Sequence, residues 1–131
     1  MSPWVETVAG PLAMDAEDLP LARWLVEATM QESARAEIAW LRGHCQAGDS
    51  VVDVGAAFGH LMLILARHVG PAGHVLAIEP HPRLCRLLRA TLARHRLAHV
   101  TVVTAAAGCR AGRGTFLAHP SAFEGIVREE R

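Results

Sequence analysis

Lysine, asparagine and tyrosine are absent from the 131 residues. All thirteen basic residues counted in the charge are therefore arginine. The three missing types are those written in A/T-rich codons. This predicts a GC-rich coding sequence and makes arginine abundance a weak functional signal. Aromatic residues make up only 5%, which excludes a ready stacking platform for nucleic-acid bases. The formal net charge is zero and the pI is near 7.1, so there is no global pull toward nucleic acid or an anionic membrane. Cys45, Cys85 and Cys109 are odd in number, far apart and without zinc spacing. The eight histidines form no HExxH or HxH pair, and no metal site is expected. Long apolar runs are missing too. The longest, residues 61–66, is far too short to span a bilayer. The first ten residues lack the basic start of a signal peptide. Together these features predict a cytoplasmic protein with no membrane partner.

What is present is globular: 51% hydrophobic residues, enough for one domain with a modest core. Residues 1–19 are mixed and broken by Pro and Gly, and read as an irregular arm. Apolar periodicity predicts helices over 21–30 and 32–45, with Trp24 and Trp40 packed within them. Residues 47–49 form a turn, and the pattern then changes. Residues 50–54 are short, β-branched and continuous, as in a strand buried on both faces. A small-residue loop follows at 55–59, then a helix over 60–69 ended by Gly70 and Pro71. A strand at 74–78, a turn at 79–82, a helix to about His95 and a strand at 100–103 complete the alternation. Pro82 suits a helix's first position, and Leu84, Leu87, Leu88, Thr91 and Leu92 face inward. A short strand is expected at 115–118. Strand–helix–strand–helix–strand with short connections predicts an α/β fold. It is a Rossmann-like, three-layer parallel sheet, incomplete, with N-terminal helices at 1–48 and a cofactor-binding half-domain at 49–131.

Two features carry chemistry. The segment V-V-D-V-G-A-A-F-G, residues 51–59, joins the first buried strand to a helix. There the chain must turn sharply while a ligand lies against its backbone, and Gly55 and Gly59 remove obstructing side chains. A plain βα turn would also use glycine. The second feature is Glu79, at the end of the next strand, where a carboxylate can accept from the two hydroxyls of a ribose. A solvated strand-end acid is the plain alternative. Taken together they favour a nucleoside-containing cofactor. The loop lacks the G-x-G of a pyrophosphate site, which disfavours a nicotinamide enzyme. Asp53 adds a carboxylate suited to a cationic ligand, which favours S-adenosylmethionine.

These segments, with A-I-E-P-H-P at 77–82 and V-T-V-V-T-A-A-A-G at 100–108, resemble the FkbM-type S-adenosylmethionine-dependent methyltransferases. The turns A-G-D-S and G-P-A-G-H-V resemble that family too, and the likeness covers about residues 47–117. It implies methyl transfer, with O-methylation of a small molecule or sugar as the expected activity. It also implies that Asp53, Gly55, Ala56, Phe58 and Gly59 line the methionine and ribose side. Glu79 would hold the ribose hydroxyls, and Pro80 and Ala106 would border the adenine. Ala57 departs from the pattern, because the family usually has a polar residue there, often Asn. No catalytic base is identified; His60 and His81, at helix starts, read as structural.

The stretch after residue 103 is too short for the strands that normally flank the first one on its other side. The catalytic half is therefore expected to be missing or supplied by another chain. Val51, Val52 and Val54 would forfeit part of their burial, and the chain is expected to self-associate or to take a complementary subunit. A truncated cofactor-binding or interaction module is the alternative reading, and a nicotinamide-dependent fragment a weaker one. The arginines of 83–96 read as a solvated helix face, with no nucleic-acid partner expected.

Overall fold

The computed structural model describes residues 4–15, 20, 23–24, 27, 32–118 and 125–129. Their element order is β1 (Trp4–Val5), β2 (Leu12–Ala13), α1 (Glu32–His44), β3 (Ser50–Val54), α2 (His60–Val69), β4 (His74–Ile78), α3 (Pro82–His95), β5 (Val100–Val103), β6 (Gly114–Ala118) and β7 (Gly125–Glu129). The central sheet has the order β3-β4-β5 and is parallel throughout, with Val51 opposite Val75 and Val75 opposite Val100. This is the expected Rossmann-like alternation, with element ends within a residue or so of those read from the sequence.

Strand pleating sorts the sheet residues onto two faces. Val51, Val75, Ala77, Val100 and Val102 share the face that packs on Met62, Leu65, Ala66 and Val69 of α2 and Leu88 of α3. Val52 and Val54 point the other way and are 59% and 61% exposed. The expectation of burial on both faces therefore fails for β3. Its run of valines is continuous, but among the described residues nothing covers its second face.

The arm is the main departure from the sequence reading. Residues 4–15 are not irregular: β1 and β2 form a short antiparallel hairpin with Trp4 opposite Ala13. Ala9, Leu12, Ala13 and Met14 are buried against the outer sides of α2 and α3. The backbone N–H of Ala13 donates to Thr91 Oγ1 at 3.0 Å, His95 Nε2 meets the carbonyl of Pro11 at 2.7 Å, and Arg83 pairs with Asp15 at 2.8 Å. Arg67 also donates to the carbonyl of Ala9.

Most of the helix expected over 21–30 lies outside the described residues; Arg23, Trp24 and Glu27 are helical, and Arg23 pairs with Glu27. The tryptophans are not packed inside. Trp24 is 57% and Trp40 60% exposed. Trp40 stacks on His44 one turn along α1, with ring centres 4.1 Å apart, while Ile38, Leu41 and Cys45 take the inward stripe. The strand expected at 115–118 is β6, and it pairs with β7 in a separate antiparallel hairpin. No described helix is long and apolar enough to cross a membrane.

Candidate cofactor site

The glycine loop lies at the carboxyl ends of β3 and β4 and is fastened across both. The N–H groups of Gly55 and Ala56 donate to the carbonyl of Ile78 at 2.8 and 3.2 Å, and that of Gly59 donates back to Ala56 at 2.7 Å. Three of its five residues have positive φ: Gly55 at 80°, Ala57 at 48° and Gly59 at 85°. The two glycines serve different ends. A Cβ on Gly55 would meet nothing within 4 Å, so its bare backbone faces open space where a ligand can lie. A Cβ on Gly59 would stand 2.5 Å from Leu88 and 2.9 Å from Met62. Gly59 thus lets α2 and α3 close together beneath the loop.

This revises the expected lining. Phe58 is 2% exposed and packs on Ala13, Met14, Leu84 and Leu87. Its side chain points into the core, as would a Cβ on Gly59, so these two residues leave only their backbone for a ligand. Ala56 is also buried. Pro80 is half-buried, and Ala106 is exposed in the loop that follows β5.

Glu79 is 5% exposed. Its Oε2 accepts from the N–H of Ala57 at 2.9 Å and its Oε1 from that of His81 at 2.8 Å. The carboxylate therefore ties the glycine loop to the start of α3. Each oxygen keeps further lone-pair capacity, so a pair of hydroxyls can still be accepted. Around it, the carbonyl of Glu79 accepts from Cys85 Sγ and from the N–H of Ala105. His81 caps α3, its Nδ1 accepting from the N–H of Arg83. That is the structural role expected of it.

Asp53 is the unbalanced member. Its Oδ2 is buried without a hydrogen-bond partner. Burial pushes its pKa above the usual carboxylate range; the backbone of Met62 opposes this and the charge of Glu79 adds to it. A buried acceptor lacking a donor among the described residues, two positions before the bare backbone of Gly55, fits a cationic, hydrogen-bond-donating group. S-adenosylmethionine carries an ammonium and a sulfonium, and the residues present fit it.

His60 was read as structural, but both ring nitrogens are buried and unpartnered. Burial lowers its pKa, with Glu37 opposing. Nothing in the sequence pattern signals this. Among the described residues no cluster of His, Cys, Asp and Glu is arranged to hold a metal.

Comparison with known proteins places this geometry. A protein-L-isoaspartate O-methyltransferase of Methanothrix thermoacetophila is 36% identical over 56 residues, which are 43% of this chain and 27% of that protein. This chain thus spans about a quarter of that relative's length. Among solved structures, a protein-L-isoaspartate O-methyltransferase superposes with a TM-score of 0.52 at 20% identity, over 55% of this chain and 23% of that one. A structure described as an rRNA methylase of Clostridium thermocellum gives 0.56 at 23% identity, over 60% and 42%. These two show a shared fold. The expected resemblance to S-adenosylmethionine-dependent methyltransferases holds at the level of family; the narrower FkbM-type assignment is not the family found. The model of the protein-L-isoaspartate(D-aspartate) O-methyltransferases matches residues 26–113, two-thirds of the sequence, and the chain belongs to that family.

Proposed function

We propose that this chain provides the cofactor-binding part of an S-adenosylmethionine-dependent O-methyltransferase whose acceptor is the carboxylate of an isoaspartyl residue in a protein. The observation that carries the reading is the match over residues 26–113, which spans Asp53, the glycine loop and Glu79, the groups gathered around the cleft. When bound, the cofactor supplies an electrophilic methyl group. The chain's own residues bind and orient it. Asp53 takes the ammonium, the backbone at Gly55 and Ala56 gives close approach, and Glu79 takes the ribose hydroxyls. Pro80 and the loop at Ala106 border the adenine. A carboxylate acceptor is already ionised at neutral pH, so the reaction needs alignment more than a base.

O-methylation of a small molecule or sugar is the second reading. It rests on the likeness of 51–59 and 77–82 to the FkbM-type group and requires removal of a hydroxyl proton. Two measurements decide. Calorimetry of the purified chain with S-adenosylhomocysteine, using NAD as control, is expected to show saturable binding of the former alone. Methyl transfer is then assayed on an isoaspartyl peptide and its aspartyl isomer. Transfer to the isoaspartyl form alone is expected. Binding without transfer to either peptide, under conditions in which a sugar or small hydroxyl compound is methylated, sinks the protein-acceptor reading.

A further inference from the structure

Charge is unevenly spread along this neutral chain. Residues 54–123 carry eight arginines and one acidic residue, Glu79. Residues 1–53 carry nine acidic residues and three arginines. Glu79 is buried with both oxygens held by backbone N–H groups, so it does not offset the arginines at the surface of that stretch.

The arginines gather on one rim. α3 has no acidic residue, and Arg86, Arg89 and Arg96 are exposed on one stripe at helical spacing. Arg89 Nη2 donates to the carbonyl of Val102 and to Thr104 Oγ1, both at 3.2 Å. That pins its guanidinium at the carboxyl end of β5. The exposed loop 104–113 leaves from there and ends on Arg113, also exposed. Three residues later Phe116 meets His81 edge-on, with ring centres 5.4 Å apart. Chain reach of about 3.4 Å per residue keeps the Arg113 backbone within about 10 Å of Phe116. The His81–Phe116 contact brings β6, the strand that follows Arg113, back to the start of α3. Among the described residues the ion pairs are Arg23–Glu27 and Arg83–Asp15. Among the described residues, Arg86, Arg89, Arg96 and Arg113 have no carboxylate within salt-bridge distance. At the start of α3, Arg83 pairs with one carboxylate of the arm, Asp15.

We infer that this rim, formed by Arg86, Arg89 and Arg113, docks an acidic polypeptide segment, its guanidinium groups pairing with successive carboxylates. A polynucleotide is also anionic, but two observations favour polypeptide. Neither α3 nor the loop 104–113 carries Phe, Tyr or Trp on which bases could stack. The family to which the chain belongs acts on a residue within a protein. The docking is a binding event and does not require methyl transfer by this chain.

The test is fluorescence anisotropy of the full chain with a labelled Glu-rich peptide, the same peptide with Gln for Glu, and a single-stranded oligonucleotide of equal length. The Glu-rich peptide is expected to bind best, with affinity falling several-fold between low and physiological salt. The Arg86→Gln/Arg113→Gln double variant removes two arginines for which the structure shows no hydrogen bond. It is expected to fold normally by circular dichroism and to bind the peptide roughly tenfold more weakly. Arg42→Gln, an exposed change on α1, is expected to leave binding unchanged. Equal binding of the Gln peptide, tighter binding of the oligonucleotide, or indifference to the double change overturns the proposal.

Discussion

At the scale of single residues, Asp53 shows a conflict between stability and binding. A carboxylate oxygen buried without a donor is costly until a cation arrives. Its folded pKa is raised, so the native state binds more protons than the unfolded state above pH 3.8. Its contribution to stability is therefore favourable at low pH and is lost as pH climbs through the raised value. Asp53→Asn is expected to stabilise the cofactor-free chain at neutral pH by about 1 kcal/mol, the scale of one unsatisfied polar group. It should also weaken S-adenosylhomocysteine binding tenfold or more. Thermal unfolding and calorimetry on the same variant check both signs. His60 has the opposite dependence. Its lowered pKa means that the native state takes up fewer protons below pH 6.5, so stability falls as pH drops from 6.5 through the folded value. His60→Leu is expected to flatten the decline of Tm between neutral and mildly acid pH; an unchanged slope counts against the burial of its ring. Ala57 is the third case. An L-residue in the left-handed region costs about 1–2 kcal/mol, which glycine avoids at some entropic cost. Ala57→Gly is expected to raise the midpoint by a few degrees while keeping the N–H that Glu79 accepts.

At the scale of elements, the sequence was most legible where local signals agree. β-branched runs, Gly70 after α2 and Pro82 at the start of α3 mark ends that do not depend on distant contacts. The site was partly legible. Asp53, Gly55 and Glu79 stand together at the strand ends, as their positions after β3 and β4 require. The separate task of Gly59 was not readable, because it depends on how closely α3 approaches. The hairpin β1–β2 escaped detection for the same reason. Its strands have two residues each, and what holds them is Thr91, 78 positions away from Ala13. Thr91 is fully buried, and in a helix pattern it reads only as another inward position. Thr91→Val keeps its shape and removes the acceptor, leaving the Ala13 N–H buried and unpaired. The expected loss is about 1–3 kcal/mol, with early protease cleavage in the arm. Full stability in this variant contradicts the docking of the arm.

At the scale of the whole molecule, the described residues cover the sheet on one side only. α2 and α3 cover the face of Val51, Val75, Ala77 and Val100, with the arm on their outer sides, while Val52, Val54 and Val103 remain exposed on the other. Pattern alone cannot distinguish these valines from core valines, because alternation is lost in a strand meant to be covered twice. Mutational cost can, since it depends on what surrounds each side chain. Val52→Thr with Val54→Thr keeps the β-branched shape and adds two hydroxyls on the open face. In the chain alone such surface changes are expected to shift stability by no more than about 0.5 kcal/mol and to reduce binding of a hydrophobic dye. The same change at Val75, buried to 0% exposure, is expected to cost at least about 1 kcal/mol, because a hydroxyl enters a packed apolar cluster without a partner. If the Val52 and Val54 pair instead costs as much as Val75, another surface covers that face in solution. Dilution of the sample before unfolding then separates the causes: a midpoint that falls with dilution means the cover is a second copy of the chain.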